Sequence, residues 1–213
     1  GVDDIPDDKK PDHARVGEVL YRTAKELQGY ISKLEEIRVP VIAAVHGGVI
    51  GGALDLITAC DMRFASKDAF FCIQEINIGM AADVGTLQRL PKIIPDSKMR
   101  EMAYTGRRML ADEAKDSGLV GEIYETQDEM LDAVHKLAAE IASKSPVAIY
   151  GLKAVMNYSR DHNVSDSLDF NALWSGAMLS QADMTEAMTA QMEKRDANFD
   201  KMVDVKKFNE SKS

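Results

Sequence analysis

Long apolar runs are missing from this 213-residue chain, and none approaches the roughly 20 residues needed to cross a bilayer. No basic, apolar, small-residue leader opens it, so the sequence predicts a soluble chain without membrane insertion. Cysteine is scarce. Cys60 and Cys72 lie in apolar stretches with no CxxC pair and no neighbouring histidine, which argues against a disulfide scaffold or a zinc site and predicts two buried thiols. Positive charge is in deficit, 26 basic against 35 acidic side chains for a net charge of -9, the wrong sign for a nucleic-acid partner. The glycines of residues 47–52, GGVIGG, do not fit GxGxxG, and no GK[ST] follows them, so nucleotide-binding turns lose support. His46 stands alone, without a serine or cysteine nucleophile arrangement, and reads as a turn residue rather than a base. No cluster of metal ligands appears.

What is present is a helical and strand rhythm. Val16, Val19, Leu20, Ala24, Leu27, Ile31 and Leu34 recur at helical spacing and predict one long amphipathic helix ending near Glu36. Pro40 breaks the pattern, and VIAAVHG reads as a short buried strand. After the glycine turn come a helix over 53–59, strands over 62–65 and 69–73, then mainly helical segments with one more strand over 119–124. Beyond Pro146 only helices are predicted, the last rich in methionine, with Met178, Met184, Met188 and Met192 suiting core packing first and an adaptable interface second. The chain divides on this reading into an α/β core over 1–145 and a helical region over 146–213.

Three carboxylates sit where charge is costly: Asp55 after HGGVIGGAL, and Glu75 and Asp83 in QEINIGMAAD. A strand entering a helix through glycines leaves backbone N–H groups unpaired at the helix start, and such a turn can hold an oxyanion. A ligand-free tight connection explains the turn equally well.

The run PVIAAVHGGVIGGALDLITACDMRFASKDAFF followed by QEINIGMAADVGTLQRLPK resembles the crotonase (enoyl-CoA hydratase/isomerase) superfamily over roughly residues 36–160, and within it the dienoyl-CoA isomerase branch. The resemblance implies an α/β fold built as a spiral of ββα turns, with a helical C-terminal region that assembles homotrimers or dimers of trimers. It implies an acyl-CoA substrate, no cofactor beyond the CoA carried by that substrate, and no metal. It places one oxyanion donor at the Gly52 N–H, with Gly48 beside the substrate. The second donor belongs near Gly1, Val2 and Asp3, which look like the tail of a further substrate-binding motif, so an upstream portion is expected to be absent. Glu75 matches the catalytic glutamate, Asp55 the first acid of the pair, and Asp83 the acid that separates dienoyl isomerases from hydratases.

Moving a double bond beside a thioester needs a base and an acid working near neutral pH, and apolar neighbours such as Ile76, Ile78 and Met80 are expected to bury the carboxylates and tune them. The alternatives are a helix cap for Asp83, a hydratase in which Asp55 and Glu75 grip one water, and a non-catalytic relative that binds RNA or assembles a complex. Lys153 and Arg160 are read as solvated charge rather than contacts for CoA phosphates. The family implies a mitochondrial or peroxisomal location, although the terminal ESKS only partly resembles the peroxisomal S-K-L signal.

Overall fold

The computed structural model describes residues 12–204. Asp12 starts the first helix by accepting the Arg15 amide on its carboxylate at 3.0 Å, and α1 runs His13–Glu36. After Pro40 the β-branched run forms β1, Ile42–Val45. The glycine segment then contains a strand that the sequence reading took as turn alone, β2, Gly48–Ile50. Helix α2 (Gly52–Thr58) leads to β3 (Met62–Ser66) and β4 (Phe70–Cys72). A 3-10 turn over Glu75–Ile78 precedes α3 (Thr86–Arg89), α4 (Asp96–Thr105), β5 (Met109–Leu110), α5 (Ala111–Asp116) and β6 (Glu122–Tyr124). Four helices follow: α6 (Gln127–Ala142), α7 (Pro146–Asp161), α8 (Val164–Met178) and α9 (Gln181–Glu193).

The first four strands alternate between two sheets. β1, β3 and β6 form one parallel sheet, with Ile42 opposite Met62 and Phe64 opposite Glu122. β2 and β4 pair in parallel, Gly48 opposite Phe70, and β5 adds to β4 antiparallel. Parallel neighbours require a crossover, and helices supply it. β1–β2–α2 and β3–β4–α3 are two turns of the expected ββα spiral, while in the third α5 intervenes between β5 and β6. The core between the sheets and helices is filled by Leu54, Phe71, Ile73, Leu90, Met102, Met109 and Leu119, each contributing about 1.5–3 kcal/mol by leaving water.

The CD-R-A segment proves structural. Arg63 Nε donates to the Leu119 carbonyl at 2.8 Å, just past α5, and its Nη1 to the Cys60 carbonyl at 2.7 Å, just past α2. Asp61 accepts the Val41 amide at 2.7 Å and the Lys153 ammonium at 2.7 Å. Cys60 and Cys72 are buried free thiols, and burial pushes both up from the ordinary thiol range.

Two expectations are corrected. Lys153 is 3% exposed rather than solvated: besides Asp61, its ammonium donates to the carbonyls of Leu34 at 2.7 Å and Val39 at 3.1 Å, so all three protons are used. It ties α7 to the end of α1 and the entrance of β1. The long amphipathic helix expected to end near Glu36 is present as α1, with Val19, Leu20 and Leu27 exposed and no residue of the helix fully buried. Met178, Met184, Met188 and Met192 do not pack the core either; all four are exposed, along with Leu168 and Leu173 on α8. Beyond α6 only helices occur among the described residues, as expected, with α7 and α8 meeting through Gly151 against Trp174 and through stacked Tyr158 and Phe170.

Candidate active site

Everything in the candidate site hangs on the turn before α2. Gly51 has φ of 55° and ψ of -120°, a conformation that disfavours any side chain, and its N–H is spent on the Cys72 carbonyl at 3.0 Å. Gly52 opens α2. As the first helical residue it has no backbone acceptor for its N–H among the described residues, and a side-chain carbon placed there would meet nothing within 4 Å. An unpaired donor and an open side-chain position therefore occur at the same residue. Gly48, in β2, is exposed, with its α-carbon packed on the Phe70 ring.

Glu75 comes to this turn from the other side. It begins the 3-10 turn after β4, and its Oε1 lies 2.9 Å from where a Cβ on Gly51 would stand. Half-buried, it has no hydrogen-bond partner for its carboxylate among the described residues. The apolar wall expected around it is not closed in this chain. Ile76, Ile78 and Met80 are exposed, Ile78 at 66%, because the turn carries them outward on the surface of the loop.

Asp55 is 1% exposed on α2 and accepts the Thr86 amide at 2.6 Å. A helix cap is thus supplied to α3, but by Asp55 across space and not by Asp83 along the chain. The N-cap position of α3 is Gly85, which offers no side chain. Asp83 is left exposed, its carboxylate without a partner among the described residues, while its backbone carbonyl accepts Gln28 Nε2 of α1 at 2.7 Å. The helix-cap explanation for Asp83 is therefore set aside. Glu75 is brought to the Gly51–Gly52 turn, and Asp55 is tied to the segment that carries Asp83. Gly1, Val2 and Asp3 lie outside the described residues.

The sequence reading missed the groups that hold this segment. Arg89 folds back over Gly85, so that a Cβ there would sit 1.9 Å from its Nη1, and it grips Glu35 with Nε at 3.1 Å and Nη2 at 2.8 Å. Burial alone would raise the Glu35 carboxyl, but hydrogen bonds from Arg89 and Arg160 hold it below the usual carboxylate range. GTLQRL was visible as a motif; nothing in it announced a partner about 50 residues upstream.

Among the described residues, no group of three or more histidine, cysteine or acidic side chains is placed to hold a metal, and no helix is long and apolar enough to cross a membrane.

Comparison with known proteins sharpens the picture. The mitochondrial Delta(3,5)-Delta(2,4)-dienoyl-CoA isomerase of Mus musculus is 50% identical over 186 residues, covering 87% of this chain and 57% of that protein. The peroxisomal protein of the same name from Arabidopsis thaliana is 47% identical, covering 90% of this chain and 69% of that one. The chain thus spans little more than half the length of the mammalian relatives it matches. A solved enoyl-CoA hydratase from Bacillus anthracis superposes with a TM-score of 0.80 at 28% identity, over 85% of this chain and 70% of that one. With the Enoyl-CoA hydratase/isomerase family model matching from residue 17 to residue 202, the chain belongs to that family.

Proposed function

We propose that the protein isomerises 3,5-dienoyl-CoA to 2,4-dienoyl-CoA. One observation carries the choice within the family: Asp83 holds an exposed carboxylate with no hydrogen-bond partner among the described residues, because the capping of α3 is done by Asp55. An acid free of structural duty, on the segment joined through Thr86 to the helix that opens with Gly52, suits proton transfer. The names of relatives 47–50% identical to the chain support the same activity.

In this mechanism the thioester oxygen accepts the Gly52 N–H and a second donor near Gly1–Asp3, and one such donor is worth about 3 kcal/mol to the enolate-like transition state. Glu75 takes the C2 proton. The freed electron pair spreads as a dienolate, the C3–C4 and C5–C6 double bonds shift to C2–C3 and C4–C5, and Asp83, entering protonated, gives its proton to C6. Glu75 ends protonated and Asp83 ionised, so solvent must reset the pair before the next turnover. Asp55 acts by holding Thr86. Gly48 lies at the thioester end, and no cofactor or metal is needed, since CoA belongs to the substrate. Hydration is less well supported: it needs Asp55 and Glu75 to share one water, and an Asp55 oxygen is committed to Thr86.

The exposed apolar side chains of α8 and α9 suit a homotrimeric or dimer-of-trimers assembly, testable by light scattering. A mitochondrial or peroxisomal setting follows the names of the relatives. The decisive assay follows conjugation of 3,5-octadienoyl-CoA by absorbance in the full-length protein. Asp83→Asn is expected to abolish it. Unchanged turnover in that variant refutes the mechanism.

A further inference from the structure

Gln28, Ser32 and Glu35 lie four and three residues apart, so they share one face of α1. Each reaches the segment that carries Asp83. Gln28 Nε2 donates to the Asp83 carbonyl at 2.7 Å. Ser32 Oγ accepts Arg89 Nη2 at 2.9 Å, and Glu35 accepts Arg89 twice, at 3.1 and 2.8 Å. The Arg89 and Glu35 side chains are only 13% and 14% exposed, so this pair is shielded, bidentate and geometrically specific. Its guanidinium lies directly over the α-carbon of Gly85, whose φ of 140° is closed to other residues. Asp55 pins the following amide, Thr86, at 2.6 Å. Residues 83, 85 and 86 are thus held at three successive points by α1, Arg89 and α2. The Asp83 carboxylate itself has no partner among the described residues, so within them its position is set by its backbone.

We propose that Arg89, locked by Glu35 and Ser32, is a positioning residue that fixes the Asp83 carboxylate at the carbon receiving the second proton. This rests on the isomerase reading given above. Removing the guanidinium leaves the fold a route to survive. Glu35 keeps its ion pair with Arg160, its backbone carbonyl keeps the Asn157 amide at 3.0 Å, and α3 keeps its Asp55 cap. What loosens is the arc over Gly85. A displacement of about 1 Å at a reacting group costs on the order of 100-fold in rate. Glu75 stands on a separate turn after β4 and does not feel it.

The test separates the two protons. In deuterium oxide, the full-length protein is given 3,5-octadienoyl-CoA; deuterium entering C2 of recovered substrate reports Glu75, and formation of the conjugated product reports the whole transfer. Their ratio does not depend on how much of a variant is folded. For Arg89→Met, product formation is expected to fall roughly 30- to 100-fold relative to C2 exchange. Arg89→Lys, which keeps charge and loses the fork, should fall between Arg89→Met and the parent. Exchange and product falling together in Arg89→Met, with their ratio unchanged, means that Arg89 is merely structural and overturns the proposal. A ratio that ignores Asp83→Asn as well, or a parent that forms no product, overturns the acid assignment and the positioning role with it. A ratio that responds to Asp83→Asn but not to Arg89→Met overturns the positioning role alone.

Discussion

Replacing Lys153 by methionine keeps an unbranched apolar stem and removes the ammonium with its three protons. Three acceptors lose a donor: the Leu34 and Val39 carbonyls and Asp61 Oδ2. Breaking a buried ion pair by deleting one partner costs about 3–5 kcal/mol. Here Asp61 is 21% exposed and keeps the Val41 amide at 2.7 Å, so water and one remaining bond relieve part of the penalty, leaving about 2–4 kcal/mol. For a chain of this size, about 3 kcal/mol lowers Tm by roughly 6–12 °C. Urea unfolding at fixed protein concentration measures it. Adding Asp61→Asn to Lys153→Met removes the orphaned charge and should recover about 1–2 kcal/mol. A Lys153→Met protein within about 0.5 kcal/mol of the parent refutes the reasoning, since it would mean that this ammonium is no better placed than a surface one.

Asp55→Ala strands the buried Thr86 amide and should cost about 1–3 kcal/mol, whereas Asp55→Asn keeps an acceptor and should cost less, both by denaturant titration. Gly151→Ala puts a methyl 2.5 Å from the Trp174 indole nitrogen, and calorimetry should register about 1–3 kcal/mol of overpacking between α7 and α8. Glu113 is held at about 2, below its ordinary 4.5, chiefly by hydrogen bonds from Arg107 and then Lys98. Its carboxylate form is favoured by folding, so the contribution is complete above pH 4.5 and fades as pH falls towards 2. With the pair partly exposed it is worth only about 1 kcal/mol, so the stability gap between parent and Arg107→Ala should close on acidification across that window.

Much of the fold was legible because its signals are local. Apolar runs bounded by Pro40 and the glycines marked β1 and α2, and helical periodicity placed α4, α6, α7 and α8 within a few residues. β2 and β5 were hidden: three residues of GVI inside a glycine cluster, and two before α5, carry too little pattern to separate strand from turn. In the site, acid types and spacings were readable, but their division of labour was not. Aspartate three residues before Thr86 looks like a cap from the sequence, and only the fold reveals that Asp55, 31 residues upstream, already fills that place. The buried Lys153 gave no sign either, since its acceptors are backbone carbonyls and one acid more than 90 residues away. The exposed methionines of α8 and α9 overturned the expectation of core packing for the same reason: a row of apolar side chains says that a stripe exists, not what lies over it.

The alternation of strands between the two sheets sets an order of assembly. Ile42 meets Met62 and Gly48 meets Phe70 after loops of about 20 residues, whereas β6 reaches β3 only after about 58, at an added closure cost of roughly 1 kcal/mol. The turn holding Gly52 and Asp55 belongs to the short-range loops. The glycine turn of the candidate site therefore lies in the segment able to close earliest, and the later-closing strand adds rigidity around it.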